Sequence, residues 1–71
     1  MGDSVFYNGK EYSEEEGILY LMGGGLGRIE DIENLSEVTN LKKLYLRNNK
    51  ISEISGLDDL ENLEFLDLNQ N

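Results

Sequence analysis

The chain has no cysteine and no histidine in its 71 residues. Thiol nucleophiles, disulfide scaffolds, zinc fingers and imidazole general bases are therefore excluded, and with them most common catalytic sets. Basic residues are also scarce. Six Lys and Arg stand against fifteen Asp and Glu, a net charge of −9 that repels nucleic acid and anionic lipid, so neither is expected as a partner. No apolar run approaches the 18 or more residues of a membrane span, and Met1-Gly2-Asp3-Ser4 lacks the basic and apolar regions of a signal peptide. The expectation is a soluble, cytoplasmic protein. Gly2 suggests myristoylation, but the sixth position, where that motif needs Ser or Thr, holds Phe6. A chain this short removes only about 60% of its unfolded surface from water, so it makes one small domain or part of one.

What is present is a repeat. A shift of 22 residues superposes Leu41, Leu44, Leu46 and Asn49 on Leu63, Leu66, Leu68 and Asn71, and both segments read L-x-x-L-x-L-x-x-N. Between them Ile51, Ile54, Leu57, Leu60, Leu63 and Leu66 fall three apart without a break. In an α-helix each triplet step slips about 60° around the axis, so this series would nearly encircle it. In a strand the same period alternates between the two faces. Short turns, some of 3-10 type, keep every third side chain on one side. Leu44-Tyr45-Leu46-Arg47 has period two instead, which predicts a short strand with Leu44 and Leu46 inward and Lys43, Tyr45 and Arg47 outward. Leu66-Asp67-Leu68-Asn69 repeats it, with Phe65, Asp67 and Asn69 outward.

This pattern resembles the leucine-rich repeat, in the 22-residue variety found in the phosphatase-1 regulatory subunit and in bacterial internalins. The resemblance spans roughly residues 18–71. It implies an α/β fold: a right-handed solenoid with parallel strands at about 18–22, 43–47 and 65–69 and a convex side of 3-10 turns. About two and a half repeats are expected, a degenerate one over 18–40, a full one over 41–62 and a partial one over 63–71. Asn49 and Asn71 hold the same phase against the leucines. Each is expected to satisfy backbone groups at the bend, as a buried ladder.

The first repeat can be aligned in two ways. A 22-residue shift puts Gly24 where Leu46 sits, whereas a shift of 25 matches Leu19, Leu21, Leu26 and Ile29 to Leu44, Leu46, Ile51 and Ile54. The second gives the better strand, with three extra residues absorbed in the run Leu26, Ile29, Ile32, Leu35, Val38, Leu41. Ahead of it, residues 1–17 are read as an amino-terminal cap. Asn8-Gly9 between the β-prone arms of 5–12 predicts a hairpin with a type I′ turn. Ser13 with Glu16 looks like a helix capping box and raises a competing helix over 14–22, but Gly17 and the Leu19/Leu21 spacing favour loop then strand.

Few residues suggest chemistry. Gly23, Gly24, Gly25 and Gly27 precede Arg28, yet no Gly-Lys-Ser/Thr follows, so tight turns explain them better than a phosphate loop. Asn34-Leu35-Ser36 fits the glycosylation pattern, but Leu35 belongs to the apolar series. The clusters Glu14-Glu15-Glu16, Glu30-Asp31-Glu33 and Asp58-Asp59-Glu61 fill polar slots and are expected to point into water, and none alternates like a calcium loop. No metal, no cofactor and no enzymatic activity are expected.

The expected function is protein interaction. Four of six basic residues, Lys42, Lys43, Arg47 and Lys50, crowd into one stretch, beside Glu64 and Asp67 of the next repeat. Stacked strands place Tyr20, Tyr45 and Asp67 in one outward row, Ile18, Lys43 and Phe65 in another, and Met22, Arg47 and Asn69 in a third. Exposed aromatics with Arg and Met are typical of interface cores. Tyr20, Lys43, Tyr45, Arg47, Phe65 and Asp67 are thus the expected contacts for a protein or peptide on the concave face. Leu63, Leu66 and Leu68 have no following repeat to cover them. The leading expectation is the amino-terminal fragment of a longer array, and a homo-oligomer assembling through that edge is the alternative.

Overall fold

A computed structural model describes residues 3–71, and the Gly2 considered above lies outside it. The first element is a hairpin of β1 (Ser4–Tyr7) and β2 (Lys10–Ser13), antiparallel with Tyr7 opposite Lys10. Asn8 at φ 54° and Gly9 at φ 80° form its two-residue turn, the left-handed pair that a type I′ turn needs. Two strands alone are marginal in water, and this hairpin leans on the rest of the chain. Val5 is fully buried in the core, and the Phe6 amide and carbonyl both bond with Glu33, at 3.0 and 2.8 Å. Asn34 Nδ2 donates to the Ser4 carbonyl at 2.9 Å.

A second tight turn joins the hairpin to the repeats. Glu15 and Ile18 exchange both backbone hydrogen bonds at 2.9 Å around Glu16 (φ 53°) and Gly17 (φ 83°). No helix forms over 14–22. The Gly17 carbonyl then accepts from both the Lys42 and Lys43 amides, which starts the parallel sheet.

That sheet contains β3 (Ile18–Tyr20), β4 (Lys43–Tyr45) and β5 (Phe65–Asp67), in the order β3-β4-β5. Leu19 faces Leu44, and Leu44 faces Leu66, so the first offset is 25 residues and the second 22. Each strand is three residues long, shorter than the five expected. The ladder nevertheless continues, through Leu21 N–H to Tyr45, Gly23 N–H to Arg47, Leu46 N–H to Asp67 and Asn48 N–H to Asn69.

Two 3-10 turns, Ile29–Asp31 and Leu35–Glu37, carry the chain back from β3 to β4. The described residues contain no α-helix, so the expected α/β class reduces to strands and turns. The physical reason is the period of three: Leu26, Ile29, Ile32, Leu35, Val38 and Leu41 are all buried, an arrangement that one α-helical face cannot produce. They meet Leu19, Leu21, Leu44 and Leu46 from the sheet in one apolar layer.

The second return segment departs from expectation. Ile51 and Leu60 are buried and Leu57 is partly so, but Ile54 is 65% exposed. Its counterpart Ile29 lies in a repeat packed between the hairpin and the next repeat and is fully buried. The repeat of Ile54 has β5 beside it in the sheet, but among the described residues no return segment follows β5 to cover Ile54.

Candidate functional site

Strand alternation sends Leu44 and Leu46 into the core and leaves Lys43, Tyr45 and Arg47 on the open face of β4. The other two strands add Tyr20, 54% exposed, and Phe65, 44% exposed. These aromatics meet. Tyr20 and Tyr45 share a rung and stack with ring centroids 4.7 Å apart and planes 18° from parallel. Tyr45 meets Phe65 at 5.3 Å and 49°, although its rung partner on β5 is Asp67. The stripe therefore crosses the three strands diagonally, and Met22 lies exposed on the same face. Side-chain contacts of this sort contribute about 0.2–1 kcal/mol per cross-strand pair, while the rings stay available to a ligand.

Asp67 corrects the expectation of an outward contact. Its side chain is only 4% exposed, and Arg47 Nη2 donates to Oδ2 at 2.8 Å while the Asn69 amide donates to Oδ1 at 3.0 Å. A short carboxylate beside a guanidinium and a free amide is better satisfied folded against the sheet than extended into water. The Asn69 amide holds the carboxyl below the ordinary aspartate range, against the opposing push of burial, with Arg47 assisting. A lowered folded value means that the stabilisation is complete above the unfolded aspartate pKa and lost as pH falls through the folded one. The stability difference between the native chain and Asp67→Asn should thus stay constant from pH 7 to 5 and shrink below about pH 4. Urea titrations at several pH values test this, and a difference that instead grew towards low pH would count against it.

Asn49 joins the first two repeats. Its Oδ1 accepts from the amides of Gly24 (3.1 Å) and Leu26 (3.0 Å), and its Nδ2 donates to the carbonyls of Leu21 (2.8 Å) and Leu46 (3.0 Å). Asn71 repeats the arrangement one step on, accepting from Ile51 and donating to Leu46 and Leu68. The two differ in burial: Asn49 is buried, whereas Asn71 is exposed and does not extend a buried ladder. The Gly-rich segment is explained by the same contacts. The Gly24 and Leu26 amides are taken by Asn49 and the Gly23 amide by Arg47, leaving none of these three for a phosphate.

Of the carboxylates expected in solvated clusters, Glu14 departs by being buried, while Glu30 stays exposed. Glu14 is buried, with Oε2 accepting from the Gly17 amide at 2.6 Å and Oε1 from the Asp3 amide at 3.3 Å. The spacing Glu14-x-x-Gly17 before a left-handed glycine was the available signal. Glu30 bridges the two return segments, accepting from the Ser55 hydroxyl at 2.9 Å and from Arg28. The Ser55 hydroxyl, then Arg28, keeps its carboxyl below the usual range. Among the described residues no three potential metal ligands come together. No helix of the described residues is long and apolar enough to cross a membrane.

At the far edge Leu63, Leu66 and Leu68 are partly buried, packed against the core on one side and open on the other.

Residues 39–71 match the family model for leucine-rich repeats, in two copies. Residues 39–71 are leucine-rich repeats. The matched segment contains β4, β5, both Asn residues of the L-x-x-L-x-L-x-x-N motif and the mixed strand and turn structure typical of a leucine-rich repeat fold. Comparison with curated proteins and with solved structures returned no match. Leucine-rich repeats generally mediate protein–protein interaction and are typically non-catalytic.

Proposed function

We propose that this leucine-rich repeat protein is a non-catalytic interaction module, acting in the cytoplasm, that binds a protein or peptide on the concave face of its parallel sheet. The observation that carries this reading is the contiguous Tyr20, Tyr45 and Phe65 stripe. Three aromatic rings in a row on a solvated sheet lie outside the apolar core that the leucines beneath form. A rigid aromatic platform binds with little loss of side-chain entropy and excludes water well, as interface centres do. The solenoid winding of the family supports it, because stacked repeats hold the strands in fixed register.

Tyr45→Ala and Phe65→Ala, singly and together, are expected to weaken binding to the partner about tenfold or more each while leaving the urea midpoint within about 0.5 M of the native one. Binding isotherms beside denaturation curves check both halves. Unchanged affinity in the double variant would place the site elsewhere.

A second reading is favoured by the edge. Ile54 is 65% exposed, Leu63, Leu66 and Leu68 are only partly buried, and β5 has one free side. Apolar residues at an open strand edge support pairing with another copy or with a further repeat. Light scattering should then show mass growing with concentration, and Leu68→Lys should suppress that growth. A constant mass at every concentration would dismiss self-assembly.

A further inference from the structure

The open face has a charge that the rest of the chain does not. Its nine outward positions are Ile18, Tyr20 and Met22 on β3, Lys43, Tyr45 and Arg47 on β4, and Phe65, Asp67 and Asn69 on β5 and its extension. Two cations and one carboxylate give +1 here, so the remainder of the chain contributes −9 − 1 = −10. The one carboxylate is buried and occupied by Arg47 and the Asn69 amide. Lys43 is exposed and, among the described residues, has no ion-pair partner. It stands beside Phe65 on its rung and two residues before Tyr45 on its strand, on the central strand and flanking the aromatic stripe.

The size of the face limits the ligand. Three strands spaced about 4.8 Å apart, each with three outward positions, span about 10 Å by about 13 Å between outermost Cα positions. A standard protein interface covers about 800 Å² per partner, far more than this patch. An extended segment of about four residues, at about 3.3 Å each, matches the longer dimension.

We propose that the three-strand face binds a short extended peptide segment bearing one carboxylate next to an apolar or aromatic residue, with the carboxylate at Lys43 and the apolar side chain on the rings of Tyr20, Tyr45 and Phe65. This rests on the concave face being the binding site. The aromatic rings supply the contact area, and Lys43 supplies the choice of charge. A polyacidic tract is a poor ligand, since the −10 of the remaining surface opposes it within a Debye length of about 8 Å at physiological salt. One carboxylate in direct contact with Lys43 gains more than it loses to charges farther off. Arg47 adds further N–H donors at the same strand, although one is engaged by Asp67.

The test is selection of a random dodecapeptide library on the immobilised full chain, with parallel selections on Lys43→Gln and on Tyr45→Ala/Phe65→Ala. The inference expects enriched peptides that carry Asp or Glu adjacent to an aliphatic or aromatic residue. Their affinity should fall about fivefold on Lys43→Gln, the size of an exposed ion pair, and vanish on the aromatic variant. Peptides without that carboxylate, or with affinity unchanged by Lys43→Gln, overturn the charge choice, and if they are still lost on Tyr45→Ala/Phe65→Ala the concave site stands. Peptides bound equally by the aromatic variant overturn both. No enrichment over a blank surface overturns the peptide segment as ligand. Circular dichroism of each variant confirms that it is folded.

Discussion

Asn49→Ala is expected to lower stability by about 3–5 kcal/mol. The side chain is buried, and its removal takes the acceptor from the Leu26 amide and the donor from the Leu21 and Leu46 carbonyls, all in buried positions. A buried polar group left without a partner costs about 1–3 kcal/mol, and two are left so, the Leu26 amide and the Leu21 carbonyl, since the Leu46 carbonyl keeps its bond from Asn71. Water that enters the space left by the amide can recover part of this. A chain of 71 residues has a total stability of about 4–11 kcal/mol at the usual value per residue. At a urea dependence of about 1 kcal/mol per molar, the midpoint should fall by about 3 M or the variant should not fold. The internal control is Asn71→Ala. Asn71 makes the corresponding bonds with one accepted amide instead of two, at an exposed position where water replaces the side chain, so its loss should cost well under half as much. Equal effects at the two positions would mean that burial is not what gives Asn49 its weight.

Leu46→Ala should be comparably severe. Leu46 is fully buried where the sheet meets the return segments, in the same layer as Leu21, Leu44 and Ile51. Truncating such a leucine costs about 2–5 kcal/mol, from lost transfer free energy and from the cavity left behind. Small domains have little stability in reserve, so the expected result is loss of the cooperative urea transition at room temperature. Leu68→Ala, the corresponding change one repeat later, removes a side chain that is only partly buried. It should shift the midpoint by less than half as much. If Leu46→Ala shifts the transition by under about 0.5 kcal/mol, the single shared apolar layer is the wrong description of this fold.

The alternation along β4 also separates the proposed binding face from the fold. Along β4 the residues alternate strictly, so Leu44 and Leu46 hold the sheet to its turns while Lys43, Tyr45 and Arg47 remain outside. Substitutions on one face need not disturb the other. Asp67 is the exception, since it lies on the open side of β5 yet ties Arg47 and Asn69 into the ladder.

Much of this molecule could be read from one-dimensional spacing. The hairpin over Ser4–Ser13 follows from Asn8-Gly9, because only a left-handed pair of residues reverses twisted strands in two steps. The burial of Leu26 through Leu41 follows from period three, and that of Leu44 and Leu46 from period two. These are local rules, set by backbone geometry within a few residues. The amides of Asn49 and Asn71 were legible for the same reason, through their constant phase against the leucines.

Four features required the folded chain, because each depends on neighbours from other repeats. The 25-residue offset of β3 on β4 is decided by which leucines meet across the ladder. Ile54, in phase with a buried series, is exposed because the layer that would cover it belongs to the following position in the stack. Asp67 and Glu14, polar and expected in water, are buried because backbone amides and Arg47 satisfy them at short range, which composition and spacing do not encode. The aromatic stripe runs diagonally, from Tyr20 through Tyr45 to Phe65, because Asp67 folds down onto its own strand and leaves Tyr45 to lean across to the neighbouring row. Periodicity determines which side of the chain each residue occupies. Lateral packing between repeats determines which of the outward residues touch one another, and hence what surface a partner meets.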